Sequence, residues 1–341
     1  VIKEMKVNRK FIAEQAGVST TTVSYVINNT PSARISESVR KRVMQVARKY
    51  NYIPDASARA LVTGKTCNIG FIYKSSIMDF FSDPFTHEVF TGLEQELEKN
   101  DYSLMFALLK KFQGQELSNS STRMLSGRFV DGVILYGDIG IEIIKKLKQA
   151  RIPFILIDYL FDDAPCNSIL PDNRRGAKIA VNYLLELGCE RICCLNGDLE
   201  EFQHPAYVER PGGYADAMEK AGRELDIVST RPDIDSSYNT VASLLKNGKC
   251  PDAFFATGDH IAIGCLNAVK DFDHKLLKKL RIIGFDDITW DETVQPALST
   301  VRVPKFDLGA EAVRMLLSDV DAGTTGTRTV RLDTELIIRE T

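Results

Sequence analysis

At 341 residues, with 44% hydrophobic and 26% charged residues, the chain has the composition of a folded protein of two or three domains, not of a disordered or fibrous one. No apolar run reaches the roughly 20 residues that span a bilayer, and seven cysteines without a CxxC pair speak against a zinc site or a disulfide scaffold. The net charge of −3 is unevenly spread: residues 1–66 carry 12 Lys and Arg against 4 acids, so a basic head sits on an acidic body and points to a polyanion partner for the head.

The head reads as three short helices, although a short segment can also be basic by chance. Residues 8–16 set Phe11, Ile12 and Ala16 on one side of a helix, and Gly17 supplies the positive φ that ends it. Val18 is an apolar plug. Ser19 is a good N-cap for a second helix running to about Asn28. In that helix Val23, Val26 and Ile27 face inward, which leaves Thr20, Thr21, Ser24 and Tyr25 pointing out. A third helix starts near Ser36, with Val39, Val43 and Val46 inside and Arg40, Lys41, Arg48 and Lys49 outside. Two helices joined by a tight Gly turn, with a third completing the core, form a helix-turn-helix unit. Small hydroxyls at a helix N-terminus can approach base edges and phosphates closely. A plain three-helix bundle with a polar face fits the same pattern.

The segment NYIPDASARALVTGKT (51–66) reads as a short hinge helix. Pro54 and Asp55 suit its first turn, Ala56, Ala58 and Ala60 favour helix, and Gly64 ends it. Leu61 has no core of its own there. A linker with Leu61 packed on the next domain is the alternative.

From Cys67 onward, apolar strand-like runs alternate with amphipathic stretches: 68–73, 102–109, 131–137 and 153–159, then 191–197, 252–259 and 280–287. This rhythm predicts doubly wound parallel sheets in two comparable lobes, with a ligand crevice at the carboxyl ends of the strands. Segment 299–317 reads as the chain returning to the first lobe. Candidate ligand contacts fall at strand ends: Asp158 after FILI, Asp259 after FFATG and Asp286 after IIGF. Arg210 is read as beginning the helix in ERPGGYADAM, and Phe85 follows SDP. Strand-end carboxylates also serve as helix N-caps.

FIAEQAGVSTTTVSYVINN, followed by ISESVRKRVMQVARKYNYIPDASARAL, resembles the DNA-binding head and hinge of the LacI/GalR family of bacterial transcription regulators. Residues 67–341 resemble that family's periplasmic-binding-protein-like effector domain. The resemblance implies that Thr20, Thr21 and Tyr25 read bases in the major groove, flanked by Ser19, Thr22 and Asn28 as further DNA contacts. Tyr25 stands where the family often has Arg or His. It implies that hinge helices of two subunits enter the minor groove together, with Leu61 as a wedge and Arg59 near the backbone. For the effector it implies hydrogen bonds from Arg210 and Asp286, a first-lobe polar contact at Asp158 and an aromatic stacker at Phe85. Asp259 fills an acidic strand-end position that holds its loop or meets the ligand. Ile234 stands where some relatives have an aromatic stacker.

The expected architecture is therefore a small all-α helix-turn-helix head (6–52), a hinge (53–66) and a two-lobed α/β effector and dimerisation domain (67–341). Lobe 1 is expected over 67–172 and 302–330, and lobe 2 over 173–301 and 331–341. The expected function is a sequence-specific transcriptional regulator, a repressor, controlled by a sugar or sugar derivative, with a purine-type corepressor as the alternative. An enzyme on the same fold is the rival. No GxGxxG follows the first strand, no P-loop or GxSxG occurs, and the four histidines are not spaced as a metal pair. No catalytic residue, metal or cofactor is expected. An exported sugar-binding protein is disfavoured by the basic head and by a first segment without an apolar signal core, which gives a cytoplasmic expectation. No leucine heptads follow LDTELIIRET, so the expected assembly on a near-palindromic operator is a homodimer.

Overall fold

The computed structural model describes residues 7–28, 33–53, 60, 63–74, 82–108, 124–125, 129–137, 139–161, 163–197 and 204–341; Arg59 and Leu61 lie outside them. The chain divides into two compact units, 1–67 and 68–341.

In the first unit α1 (Arg9–Ala16), α2 (Thr20–Ile27) and α3 (Glu37–Lys49) pack around Ile12, Ala16, Val23, Val26 and Val43. Each start is capped by a side chain that takes an orphan N–H of the first turn. Asn8 Oδ1 accepts from Phe11 at 3.0 Å, Ser19 Oγ from Thr22 at 3.0 Å and Ser36 Oγ from Val39 at 3.4 Å. Gly17 closes α1 at φ +62°, a conformation any Cβ would strain, and so sets the angle at which α2 leaves. Thr21 and Tyr25, four apart, share the outermost ridge of α2, and Tyr25 stays 41% exposed. Ser24 departs from the sequence expectation: it is only 9% exposed, and its Oγ accepts from Asn28 Nδ2 at 3.3 Å. Its place on the flank of the Val23–Val26–Ile27 stripe puts it at the rim of the core. Beyond 53, Gly64 N–H donates to Ala60 O at 2.8 Å and Gly64 takes φ +74°.

The second unit holds two six-stranded sheets. The first consists of β1 (Asn68–Lys74), β2 (Ser103–Leu108), β3 (Gly132–Gly137), β4 (Phe154–Ile157), β5 (Asn167–Pro171) and, from much later in the chain, β11 (Thr329–Leu332). Its order is β11-β5-β4-β3-β1-β2, parallel throughout. The second contains β6 (Ile192–Gly197), β7 (Asp226–Thr230), β8 (Ala253–Ala256), β9 (Arg281–Asp286), β10 (Ser299–Arg302) and β12 (Glu335–Ile337), in the order β12-β10-β9-β8-β6-β7. Only β12 runs antiparallel. The chain thus passes from the first sheet to the second after β5, back after β10, and across again after β11. Around the sheets lie α4 (Pro84–Lys99), α5 (Ile141–Ala150), α6 (Asn173–Glu186), α7 (Pro205–Lys220), α8 (Ile234–Lys246), α9 (Asp259–Asp273) and α10 (Lys305–Ala322). Buried strand interiors such as Val133–Leu135 and Phe254–Phe255 are what make the parallel strands read as continuous apolar runs.

In the first lobe α4 and α10 meet backbone to backbone. A Cβ on Gly92 would lie 2.0 Å from Phe306 O, and one on Gly309 would lie 2.0 Å from Val89 O. Because the obstacle is main chain, the helices must part to admit a methyl. Gly309→Ala is expected to lower unfolding free energy by about 1–3 kcal/mol in a urea titration, while helix content stays unchanged.

Candidate functional site

The carboxyl ends of the two sheets face each other, and the polar groups between them form one network. Its centre is Arg210, almost fully buried in α7. Nε donates to Asn173 Oδ1 at 2.8 Å, Nη1 to Thr257 O at 2.8 Å, and Nη2 lies 2.9 Å from Asp286 Oδ1. The guanidinium also stacks over the Phe285 ring, 3.8 Å from its centroid. Each partner is delivered by a strand end or the helix start after one: Thr257 follows β8, Asp286 ends β9, and Asn173 opens α6 after β5.

Arg210 does not begin its helix. α7 starts at Pro205, with His204 as its cap, and Arg210 is in the second turn just before Pro211. A proline there lacks the N–H that would bond Tyr207 O, and that carbonyl instead accepts from Asn196 Nδ2 at 3.2 Å. The proline is tolerated because the strand before the helix supplies the missing donor.

Asp158, directly after β4, faces this network from the first lobe. It sits at φ +54°, with its N–H bonded to Ile169 O at 2.8 Å. Only 6% of it is exposed, and Oδ1 has no hydrogen-bond partner among the described residues. Burial, reinforced by the charges of Asp286 and Glu209 and opposed by Arg210, pushes its carboxyl up to about 7. Burial likewise outweighs the Arg210 pairing at Asp286 and pushes it up to about 7. His204 Nε2 lies 3.8 Å from Asp158 Oδ2, but burial and Arg210 press the imidazole down to about 3, so at neutral pH this is no ion pair. Its Nδ1 accepts from Ala206 N–H at 3.2 Å, which leaves the proton on Nε2, toward Asp158. Desolvation holds the phenols of Tyr136 at the end of β3 and of half-buried Tyr207 on α7 well above their ordinary range, reinforced by the charge of Asp83 at Tyr136 and of Asp286 and Asp158 at Tyr207. Asp83 itself caps α4, accepting from Phe85 N–H at 3.1 Å.

A second set of bonds fixes the turn that presents Asp286. Lys305 Nζ, buried at the start of α10, donates to Asp286 O at 2.7 Å and Asp287 O at 2.8 Å and lies 3.4 Å from Glu88. Both aspartates have positive φ, +123° and +57°. Arg339 and Arg302 clamp the Asp287 carboxylate at 2.6 and 2.7 Å. Between the lobes, Arg331 next to β5 holds Glu209 of α7 through two bonds of 2.6 and 2.9 Å.

Of the residues singled out from sequence, Arg210, Asp286 and Asp158 come together. Asp259 does not join them. It is fully buried, Oδ1 accepts from Thr300 Oγ1 at 2.6 Å and Oδ2 from Ile288 N–H at 3.2 Å, so its carboxylate is spent holding the loop after β9. Phe85 lies in the first turn of α4, 9% exposed, within the buried cluster that includes Tyr73, Val89 and Tyr136; little of its ring is left to stack on a ligand. Ile234 opens α8 and packs against the second-lobe core. Sequence reading missed Asn173, Thr257, His204 and Lys305, whose only local signal is a position just after a strand or at a helix start. In the head, Ser19 caps α2, Thr20, Thr21 and Tyr25 are exposed, and Thr22 and Asn28 are half-buried. No group of three or more His, Cys, Asp or Glu that could hold a metal occurs among the described residues, and no described helix is long and apolar enough to cross a membrane.

Comparison with known proteins matches residues 10–55 to the bacterial regulatory proteins of the lacI family and residues 181–341 to a periplasmic binding protein-like domain. The chain is 31% identical over 335 residues to the ribose operon repressor of Haemophilus influenzae, covering 97% of both chains. It is 30% identical over 337 residues to the transcriptional repressor PurR of Vibrio atlanticus, again covering 97% of both. The solved lac repressor dimer, bound to operator and the anti-inducer ONPF, has the same fold, with a TM-score of 0.83 at 22% identity over 99% of both chains. Head, body and nearly the whole length agree: the chain belongs to the lacI family of bacterial regulatory proteins, and it is a DNA-binding transcriptional regulator.

Proposed function

We propose that the protein is a cytoplasmic repressor that binds a near-palindromic operator as a homodimer, and that a sugar or sugar derivative bound around Arg210 sets its operator affinity. The observation that carries the effector half is the buried Arg210–Asp286 pair facing Asp158, whose Oδ1 has no hydrogen-bond partner among the described residues. A charged, fixed hydrogen-bonding set between two sheets is suited to hydroxyl recognition. The similar length and identity of the ribose operon repressor support a carbohydrate. A nucleobase corepressor is the second reading, favoured by PurR at nearly the same identity, since Arg and Asp also pair with ring nitrogens.

The DNA half rests on the exposed hydroxyls of α2 and on Tyr25. Thr20, Thr21 and Tyr25 read bases, Ser19, Thr22 and Asn28 support them, and Arg59 and Leu61 act in the hinge. No catalytic residue, metal or cofactor takes part. Selection of duplexes from a random library tests this half: enrichment of one motif repeated in inverted halves supports it, and a pool left unenriched refutes it.

A further inference from the structure

We infer that Lys305 is the positioning residue through which an effector's hold on Asp286 reaches the first lobe: its ammonium straps the Asp286–Asp287 turn to Glu88 of α4, so that a shift of the turn becomes a shift of the α4–α10 pair. This deepens the proposed effector reading and rests on Asp286 lying in the ligand site.

Lys305 is buried at the first position of α10, where the chain has just crossed over from β10 of the second lobe. Its Nζ donates to Asp286 O at 2.7 Å and Asp287 O at 2.8 Å and lies 3.4 Å from Glu88 Oε2. The carbonyls belong to the second lobe and the carboxylate to the first. The crossover is bound to the same turn, since Val303 N–H donates to Asp286 O at 3.4 Å and Lys305 N–H to Val303 O at 2.8 Å. Neither end of the strap has slack. In the turn, two consecutive non-glycine residues hold φ of +123° and +57°, a backbone that persists only where its surroundings fix it, and Arg302 and Arg339 grip the Asp287 carboxylate. At the other end, Gly92 packs on Phe306 O and Gly309 on Val89 O, and Phe306 and Val89 are the chain neighbours of Lys305 and Glu88. The ion pair therefore sits where α4 and α10 touch main chain to main chain, and the two helices respond together. From α4 the contacts continue to the strand that follows the hinge: the Phe90 ring meets Phe71 of β1 edge to face, 5.7 Å between centroids. Packed side chains and rigid helices of this kind can carry coupling between sites.

The test titrates the protein on its selected operator with and without saturating D-ribose, or hypoxanthine where D-ribose gives no calorimetric binding, and measures affinity for the same ligand by calorimetry. Glu88→Ala leaves the bonds of Lys305 to the turn in place. It should bind the ligand within about threefold of the wild type, yet shrink the ligand-induced change in operator affinity to under about twofold. Glu88→Gln, which keeps an acceptor in reach of the ammonium, should fall between the two. Glu98→Ala, which removes an acid from the far end of α4, should leave the response as it is. Lys305→Met should lose the response together with part of the ligand affinity; if it fails to fold, Glu88→Ala decides alone. An undiminished response in Glu88→Ala overturns the inference, as does an equal loss in Glu98→Ala or a loss that only follows weaker ligand binding. A wild type that binds neither ligand, or binds one with no change in operator affinity, removes the effector reading and this inference with it.

Discussion

Replacing Arg210 with Met is expected to destabilise the effector unit by about 3–5 kcal/mol and to abolish its response to any crevice ligand. The substitution keeps the apolar stem but removes the charge, leaving Asp286 buried without its ion partner and Asn173 Oδ1 and Thr257 O without donors. Orphaning one partner of a buried pair costs more than the pair itself is worth. The deficit should depend on pH in a definite direction. Asp286 already has a folded pKa above its unfolded value, and losing Arg210 removes the largest opposing influence, so it moves further up. A carboxyl with a raised folded pKa destabilises the fold as pH rises from the unfolded value, near 4, toward the folded one. Between pH 4 and about 6 wild type and variant lose this contribution alike, so the deficit of Arg210→Met should be flat there and grow as pH rises above about 7, where only the wild-type Asp286 ionises. Thermal melts at pH 6 and 8.5 check this, and a deficit independent of pH would show that the variant fails through packing alone.

The second large effect lies in the head. Tyr25→Ala and Thr21→Ala remove the two side chains on the outermost ridge of α2 and leave the core stripe of Val23 and Val26 intact. Each is expected to lower affinity for the selected operator by about 10–100-fold, the worth of a good base contact, while leaving affinity for a scrambled duplex within about twofold. The reason is that non-specific affinity comes from phosphate contacts by the basic side chains, which these changes do not touch. Ser24→Ala is the internal control: its hydroxyl is bonded to Asn28 and nearly buried, so its effect on specificity should be small. Fluorescence titrations on both duplexes at two salt concentrations separate the two affinities. Equal losses on operator and scrambled DNA would mean that α2 does not read sequence.

The head was legible because its information is local. Caps at Ser19 and Ser36, a positive-φ glycine at 17 and an apolar stripe at helical spacing all lie within a few residues of what they determine. The buried central strands were legible for the same reason. β5 was not, since its interior starts with Asn167 and Ser168. Those polar residues are tolerated because Asn167 donates to Asp319, 152 residues away, at 2.6 Å and accepts from Arg328 N–H at 2.8 Å. β7 is an edge strand, largely exposed, with no apolar alternation to announce it. In the site, strand-end position alone cannot tell an aspartate that faces the crevice from one that braces a loop. Asp158 and Asp259 look alike in sequence, and only the distant donors Thr300 and Ile288 separate them. The helix that carries Arg210 begins five residues earlier than the sequence reading put it, at Pro205, and runs through Pro211 because Asn196 takes the freed carbonyl.

Control of operator binding by a ligand held at Arg210 is read from one titration of the protein on its selected operator. It is run without ligand and with a saturating crevice ligand, for the wild type and for Arg210→Met. A coupling of about 1–3 kcal/mol between the sites corresponds to a 5–150-fold change in operator affinity. A change of that size is expected for the wild type and none for Arg210→Met, which should still bind the bare operator. An operator affinity that is the same with and without ligand in the wild type would contradict it.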